Sequence, residues 1–382
     1  MALILVLEPF GGGSHATLYQ GWSKYSRHEL TVLELPAVHW KWRSRHASLS
    51  LAKQSNALLQ QGSRFDCVFC SSMLNLPEWR GFTEATLQQT PAVVYFHENQ
   101  FTYPISAGQQ RDYHFAYNNV LTAIAANEIW FNSQYHLDEF RQAAVTWLRK
   151  MPDYGHIEDF ESSVDRFKVL PPGIDPPELK ENLCDSSDHS DARGVSSVPI
   201  IGWVSRWEHD KRPDSFLKLI EDLLDRDFDF RLILLGETFA RVPPEYVRLL
   251  KIAGERILHQ GYTTSRAEYW QLLQQMDFVL STADHEFFGI GICEAIYAGA
   301  IPLLPDRLAY PELLERMQLP ARDKLLYASH DELVTKIQEL QLDRSQSDDQ
   351  SWHSNLAQFT WEQLAIAYDD GIAKVVEESK RQ

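Results

Sequence analysis

Apolar runs of four to seven residues, each closed by Gly, Pro, Ser, Asn or a charge, alternate along the chain with longer segments of helical period. Runs at 2–7, 29–35, 66–70, 92–96, 128–131 and 167–170 predict six strands in the first half. A second series at 199–204, 231–235, 257–260, 278–281 and 300–304 repeats the pattern. Because the strands are separated by helix-length crossovers rather than two-residue hairpins, each series predicts a doubly wound parallel sheet, and the chain an α/β protein of two Rossmann-like domains.

Polar breaks set the expected boundaries. The stretch 181–198, with Asp185-Ser186-Ser187-Asp188-His189-Ser190-Asp191, is too polar to pack and predicts a linker between an N-terminal domain, 1–180, and a C-terminal one, 199–355. A second break over 343–351 precedes a closing segment, 356–382, whose apolar positions Leu364, Ala367, Tyr368 and Ile372 predict one amphipathic helix. The apolar start, Met1-Ala2-Leu3-Ile4-Leu5-Val6-Leu7, lacks the basic flank and small-residue cleavage site of a leader and reads as a buried strand. No stretch has the roughly 18 apolar residues of a membrane span, so the expectation is a cytoplasmic protein with no membrane partner. Nothing in the pattern sets an oligomeric state.

Four cysteines, Cys67, Cys70, Cys184 and Cys293, fit no metal spacing. Cys67 and Cys70 lie three apart in a predicted strand, on opposite faces, and read as core thiols. The net charge of −17 argues against nucleic acid, but residues 1–180 carry 15 Lys and Arg against 18 Asp and Glu. The acidity therefore belongs to the second half, and a polyanion could still approach the first.

Ligands of open α/β sheets sit beyond the carboxyl ends of the strands. Gly11-Gly12-Gly13-Ser14-His15 follows the first run, before a helical pattern near Ala16; it reads either as a tight turn or as a backbone cradle for an anion. His97-Glu98-Asn99-Gln100 follows the fourth, and Asn132-Ser133 the fifth, as polar clusters ill suited to a core. In the acidic half, Arg206-Trp207-Glu208-His209-Asp210-Lys211-Arg212 follows a strand, suited to a diphosphate or to a surface salt-bridge network. His285-Glu286-Phe287-Phe288-Gly289-Ile290-Gly291-Ile292-Cys293-Glu294 places Glu286 in a loop and Glu294 about a turn into a helix starting near Gly289. Glu294 is flanked by apolar residues and needs a hydrogen-bonded partner there. There is no HExxH, zinc spacing, GxSxG elbow or convincing Asp-x-Asp motif, so a metal-independent site is expected.

Together, the glycine loop, His97, the Arg206/Lys211 pair and the Glu286/Glu294 spacing resemble retaining glycosyltransferases of the GT-B fold, in which two Rossmann-like domains face each other across a cleft and a C-terminal helix crosses back to the N-terminal domain. More closely, Gly12-Gly13-Ser14-His15, Trp40-Lys41-Trp42-Arg43-Ser44-Arg45, Ser72-Met73-Leu74-Asn75-Leu76, Tyr95-Phe96-His97-Glu98-Asn99-Gln100, Arg111-Asp112-Tyr113, Arg206-Trp207-Glu208-His209-Asp210-Lys211, Leu235-Gly236-Glu237-Thr238-Phe239 and His285-Glu286-Phe287-Phe288-Gly289 resemble the tRNA-queuosine α-mannosyltransferase family.

That resemblance implies transfer of mannose from GDP-mannose, with retention, to queuosine at the wobble position of tRNA-Asp, with no cofactor. It implies that Arg206 and Lys211 grip the donor diphosphate, Glu294 the ribose, and Glu286 with the amides of Phe288 and Gly289 the sugar and phosphate. Gly12, Gly13, Ser14 and Gly236 would complete the donor site, and His97 would meet the sugar near its reacting face. His15, Lys41, Arg43, Arg45, Glu98, Asn99, Arg111 and Asn132 would serve the acceptor. Trp40-Lys41-Trp42-Arg43-Ser44-Arg45-His46 interleaves aromatics with cations, as an RNA-binding surface does, or as an exposed strand or loop with a tryptophan or two anchored in the core. Two further possibilities stay open on the residues alone: a glycosyltransferase of this fold acting on a lipid, saccharide or small molecule, and a nucleotide-sugar-binding protein without catalysis.

Overall fold

The computed structural model describes residues 1–105, 108, 110–177, 198–237, 242–319, 321–343 and 356–381. Cys184, Thr238, Phe239, most of the expected linker and the second polar break from 344 onward lie outside them. The chain divides into two compact units, residues 1–173 with 359–382, and residues 174–358.

Unit 1 holds β1 (Leu3–Gly11), β2 (Glu29–Pro36), β3 (Cys67–Ser71), β4 (Ala92–Phe96), β5 (Glu128–Phe131) and β6 (Phe167–Val169), all parallel, in the order β2-β1-β3-β4-β5-β6. The principal crossover helices are α1 (Gly13–Tyr25), α2 (Trp40–Gln60), α3 (Tyr113–Ala125) and α4 (Gln134–Leu148). Residue alternation splits the strands between two layers. Leu5, Leu7, Val68, Cys70, Val94 and Phe96 pack with α2, α3 and α4, whereas Ile4, Val6, Cys67, Phe69, Val93 and Tyr95 face α1 and the C-terminal segment. Cys67 and Cys70 are thus buried on opposite faces, and burial pushes the Cys70 thiol up to about 12.

Unit 2 holds β7 (Ile200–Val204), β8 (Arg231–Leu235), β9 (Ile257–Gly261), β10 (Phe278–Leu280), β11 (Ile301–Pro305) and β12 (Leu326–Tyr327), parallel in the order β12-β11-β10-β7-β8-β9. Helices α5 (Pro213–Asp225), α6 (Arg266–Leu273) and α7 (Ile290–Tyr297) matter below. In both sheets the strand order reverses beside the first strand, between β1 and β3 and between β7 and β10. Those are the switch points where loops diverge and leave a crevice.

Eleven strands match expectation within a few residues. The short β12 was not expected, and β1 runs on through Pro9 to Gly11. The closing segment is helix α8 (Trp361–Arg381), and it belongs to unit 1: Trp361, Tyr368, Ile372 and Val375 are buried in the layer with Trp22. The expected apolar stripe needs one correction, because Ala365 is buried and Ala367 is exposed. Asp369 is also buried; it accepts from Trp22 Nε1 (2.8 Å), Ser26 Oγ (2.6 Å) and the Arg27 amide (2.7 Å), tying α8 to the end of α1.

Candidate functional site

In unit 2 the candidate residues gather at the switch point. Arg206 and Lys211 follow β7, and Glu286 follows its neighbour β10. Lys211 sits at the end of a 3₁₀ turn (His209–Lys211), with its side chain only 10% exposed. Its Nζ donates to the His285 carbonyl (2.8 Å) and to Glu286 Oε2 (3.1 Å), and lies 3.3 Å from Asp210 Oδ2. Burial opposes the charges of both members of the pair. It is outweighed: Glu286 and Asp210 hold Lys211 above its ordinary range, and Lys211 holds Glu286 below the usual carboxylate range. The ammonium and carboxylate are therefore both charged at neutral pH.

The remaining cations of the loop differ in exposure. Arg206 is half-exposed and meets Glu208 at 3.2 Å, while Arg212 is clamped by Asp214 (2.8 Å) and Asp284 (2.7 Å). The cations of this loop are thus in salt bridges, with Arg206 the most exposed of the three.

Gly289, at φ +90°, caps α7, a left-handed turn that a Cβ would strain. Helix α7 then carries Glu294 into the interior, 3% exposed. The partner that burial demanded is present twice over: Arg266 Nη2 donates to Oε1 and the Tyr269 hydroxyl to Oε2, both at 2.7 Å. Neither α6 residue was singled out from the sequence. Their spacing of three puts them on one helix face, but nothing in the sequence aims that face at Glu294. The Phe288 amide makes a long bond to Glu286 Oε1 (3.5 Å). Gly236 has a packing reason of its own, since a Cβ there would meet the Ser205 carbonyl oxygen at 2.0 Å.

In unit 1, Gly12 is the extended N-cap of α1, which starts at Gly13 rather than near Ala16; Gly13 and Ser14 are exposed at its first turn. His15 is buried, with Nδ1 3.1 Å from Glu8 Oε1, and its ring stacks on His97 with centroids 3.9 Å apart. Glu8, also unexpected from the sequence, accepts from the Phe10 amide (2.8 Å) and Ser71 Oγ (3.1 Å). Burial, followed by His15 and His136, holds the His97 imidazole well below its ordinary range, so it is neutral at pH 7.

The Glu8, His15 and His97 ligand atoms lie within 4.8 Å of one another, a spacing that could hold a metal ion. The two imidazoles are stacked, inclined by 26°.

The other N-terminal candidates divide by accessibility. Asn132 is buried and holds His97, donating to its carbonyl (3.0 Å) while Oδ1 meets His136 Nδ1 (2.9 Å). Asn99 is fully buried, its Oδ1 accepting from the amides of Phe101 and Thr102 (3.0 and 3.1 Å), so it shapes the loop from inside rather than facing a ligand. Glu98 accepts from Gln100 Nε2 (3.2 Å), and Arg111 Nη1 donates to the Gln100 carbonyl (2.8 Å).

The segment from Trp40 to His46 is neither strand nor loop but the first turns of α2, and neither tryptophan is core: Trp40 is 39% and Trp42 63% exposed. Lys41 lies over the Trp40 ring, Arg43 Nε donates to the Pro36 carbonyl (2.9 Å), and Arg45 lies 4.6 Å over Phe115.

Residues 3–174 match the family model described as tRNA-queuosine alpha-mannosyltransferase N-terminal, and residues 188–356 match Glycosyl transferases group 1. A tRNA-queuosine alpha-mannosyltransferase of Drosophila melanogaster is 32% identical over 319 residues, covering 83% of this chain and 82% of that one. The chain belongs to the tRNA-queuosine alpha-mannosyltransferase family. It is a glycosyltransferase of the GT-B fold: sucrose-phosphate synthase from Thermosynechococcus elongatus superposes with a TM-score of 0.71 at 13% identity, over 98% of this chain and 99% of that one. Part of the chain is also similar to a GDP-mannose:cellobiosyl-diphosphopolyprenol alpha-mannosyltransferase of Xanthomonas oryzae, 26% identical over 190 residues, 48% of this chain and 46% of the relative. Among the described residues no helix is long and apolar enough to cross a membrane.

Proposed function

We propose that this protein transfers mannose from GDP-mannose, with retained configuration and without a metal ion, to queuosine at the wobble position of tRNA-Asp in the cytosol. The observation that carries the reading is the family match over most of the chain, combined with a donor set in which Lys211 and Glu286 stay charged as a buried pair and Glu294 is hydrogen-bonded by Arg266 and Tyr269. The partial likeness to a GDP-mannose enzyme supports the choice of donor.

In this reading Glu294 keeps two of its roughly four lone-pair sites for ribose hydroxyls, the others being taken by Arg266 and Tyr269. Arg206 exchanges Glu208 for the diphosphate, and Lys211 adds charge from behind. As the sugar–phosphate bond breaks, negative charge grows on the departing GDP, so these cations stabilise the transition state more than the ground state. Glu286 meets sugar hydroxyls, and neutral His97 offers a hydrogen bond at the reacting face without presenting a second positive charge to a developing oxocarbenium ion. The acceptor hydroxyl attacks from the leaving-group side and passes its proton to a phosphate oxygen.

Incubation with queuosine-containing tRNA and GDP-mannose, followed by mass spectrometry of the nucleosides, tests the reading. A hexose added to queuosine is the expected result; transfer only to a lipid or saccharide would refute the acceptor. Calorimetry with GDP, UDP and ADP tests the donor, and preference for UDP would refute mannose as its sugar. Transfer abolished by a chelator and restored by a divalent ion would refute the metal-free reading.

A further inference from the structure

Unit 1 carries a concavity lined by none of the residues assigned above to donor or acceptor. Between α4 and the loop and helix start that carry Phe101 and Tyr113 lies a surface pocket of about 310 Å³, bordered by Tyr113, Glu139, Gln142, Trp147 and Lys150. Its volume is at the lower end of small-molecule sites and ample for a nucleobase. Tyr113 stacks on Trp147 with centroids 5.8 Å apart at 19°, yet remains 44% exposed, so an aromatic face is open to a further ring.

The pocket continues an aromatic and cationic strip. Trp40 contacts Phe115, Arg45 covers Phe115 and approaches Asp112 at 3.8 Å, and Tyr113 is the next residue. Lys150 adds a cation at the far rim. Stacking faces with interspersed positive charge are what a single-stranded RNA loop requires.

Glu139 is the carboxylate of the pocket wall. Its carboxyl is half-buried in the pocket wall and has no hydrogen-bond partner or ion pair among the described residues; burial alone holds it above the usual carboxylate range. A half-desolvated carboxylate beside a stacking face is costly unless a ligand donates to it. Of the four bases, only guanine presents two adjacent N–H donors on one edge, its ring N1–H and its amino group, matching both carboxylate oxygens. Adenine and cytosine set an acceptor beside their amino group, and uracil flanks its N–H with carbonyls.

We infer that this pocket binds a guanine-type base of the tRNA anticodon loop, stacked on Tyr113 and hydrogen-bonded along its donor edge to Glu139, with Lys150 toward the adjoining phosphate. The inference rests on the tRNA reading of the acceptor. The base is either the modified nucleoside, if it keeps that donor edge, or a neighbouring loop guanosine.

The test measures tRNA affinity and donor KM for the wild type, Glu139→Gln, Tyr113→Ala and the triple variant Lys41→Ala/Arg43→Ala/Arg45→Ala. Substrates carry guanosine or inosine, which lacks the amino donor, at the wobble position or at another loop position. Glu139→Gln and Tyr113→Ala should each weaken tRNA binding roughly tenfold with donor KM unchanged. Inosine at one position should weaken the wild type but not Glu139→Gln, and that position identifies the base. Equal binding by the wild type and Glu139→Gln, while the triple variant binds weakly, would overturn the pocket and leave the tRNA acceptor standing. Failure of the wild type to bind any of these RNAs would overturn both.

Discussion

Replacing Lys211 by Met separates the structural from the catalytic role of the buried pair. Lys211 neutralises two carboxylates at once, Glu286 at 3.1 Å and Asp210 at 3.3 Å, and its side chain is 10% exposed while that of Asp210 is 3%. Met has nearly the length of the lysine stem and fills its space, so the loss is chiefly electrostatic. Stranding a buried charge costs about 3–5 kcal/mol. Adding Glu286→Gln removes one stranded charge and should return about 1–3 kcal/mol, the scale of coupling between groups in contact. Urea unfolding of Lys211→Met, Glu286→Gln and the double variant gives the three sides of the cycle. Single-turnover transfer should be down by about 10²–10³ in Lys211→Met, the size of one lost transition-state charge partner, and should stay down in the double variant. A coupling energy near zero in the stability cycle would refute the pairing, and a double variant that regains turnover would refute the direct role of Lys211 on the donor.

His97 is neutral when folded but titrates near 6.5 when unfolded, so its contribution to stability is complete above that pH and is lost as pH falls through and below it. His97→Gln should therefore flatten the decline of the urea midpoint between pH 7 and pH 5; an unchanged slope would show that His97 is charged in the native state. Asp369→Ala strands the indole of Trp22, the hydroxyl of Ser26 and the amide of Arg27, and should cost at least about 3 kcal/mol in chemical unfolding, at about 1–3 kcal/mol per unsatisfied group. Glu208→Gln frees the half-exposed Arg206 from a pair worth about 0.2–1 kcal/mol, so the donor KM should fall by less than tenfold; a rise would place Glu208 on the donor itself.

Much of this architecture was legible because it is periodic. Parallel strands buried on both faces announce themselves as short apolar runs, and the breaks after them mark where ligands sit. Glu294 was legible for the same reason, as a carboxylate embedded among Ile292, Cys293, Ala295 and Ile296. Its partners Arg266 and Tyr269 were not, because they arrive from a helix 25 to 28 residues upstream whose facing is set by tertiary packing. The α2 start was missed because no side chain caps it: His39 holds the N-cap in a left-handed conformation. The signal lay downstream, in Ser44, Ala47, Ser48, Leu51, Ala52, Ser55 and Leu59, a stripe of small and apolar residues at helical spacing that is buried in the structure.

The charge distribution along the sequence says less about binding than the pairing of those charges in space. The acidic second half offers Arg206, Lys211 and Arg212 as an apparent cluster, but Arg212 is committed to Asp214 and Asp284 and Lys211 is enclosed by carboxylates. On the proposed reading a diphosphate meets cations that are already paired, and its binding is an exchange of anions rather than the filling of a bare positive site. Such an exchange makes donor affinity only weakly dependent on ionic strength, because both sides of it carry ion pairs. The α2 patch differs: Lys41 is exposed, and no hydrogen bond or ion pair to a carboxylate holds it among the described residues. Binding a polyanion there releases counterions, so acceptor affinity should fall steeply with salt while donor affinity does not. Parallel salt titrations of GDP and tRNA binding measure the two slopes, and equal slopes would remove the distinction between exchange at the donor loop and neutralisation at α2.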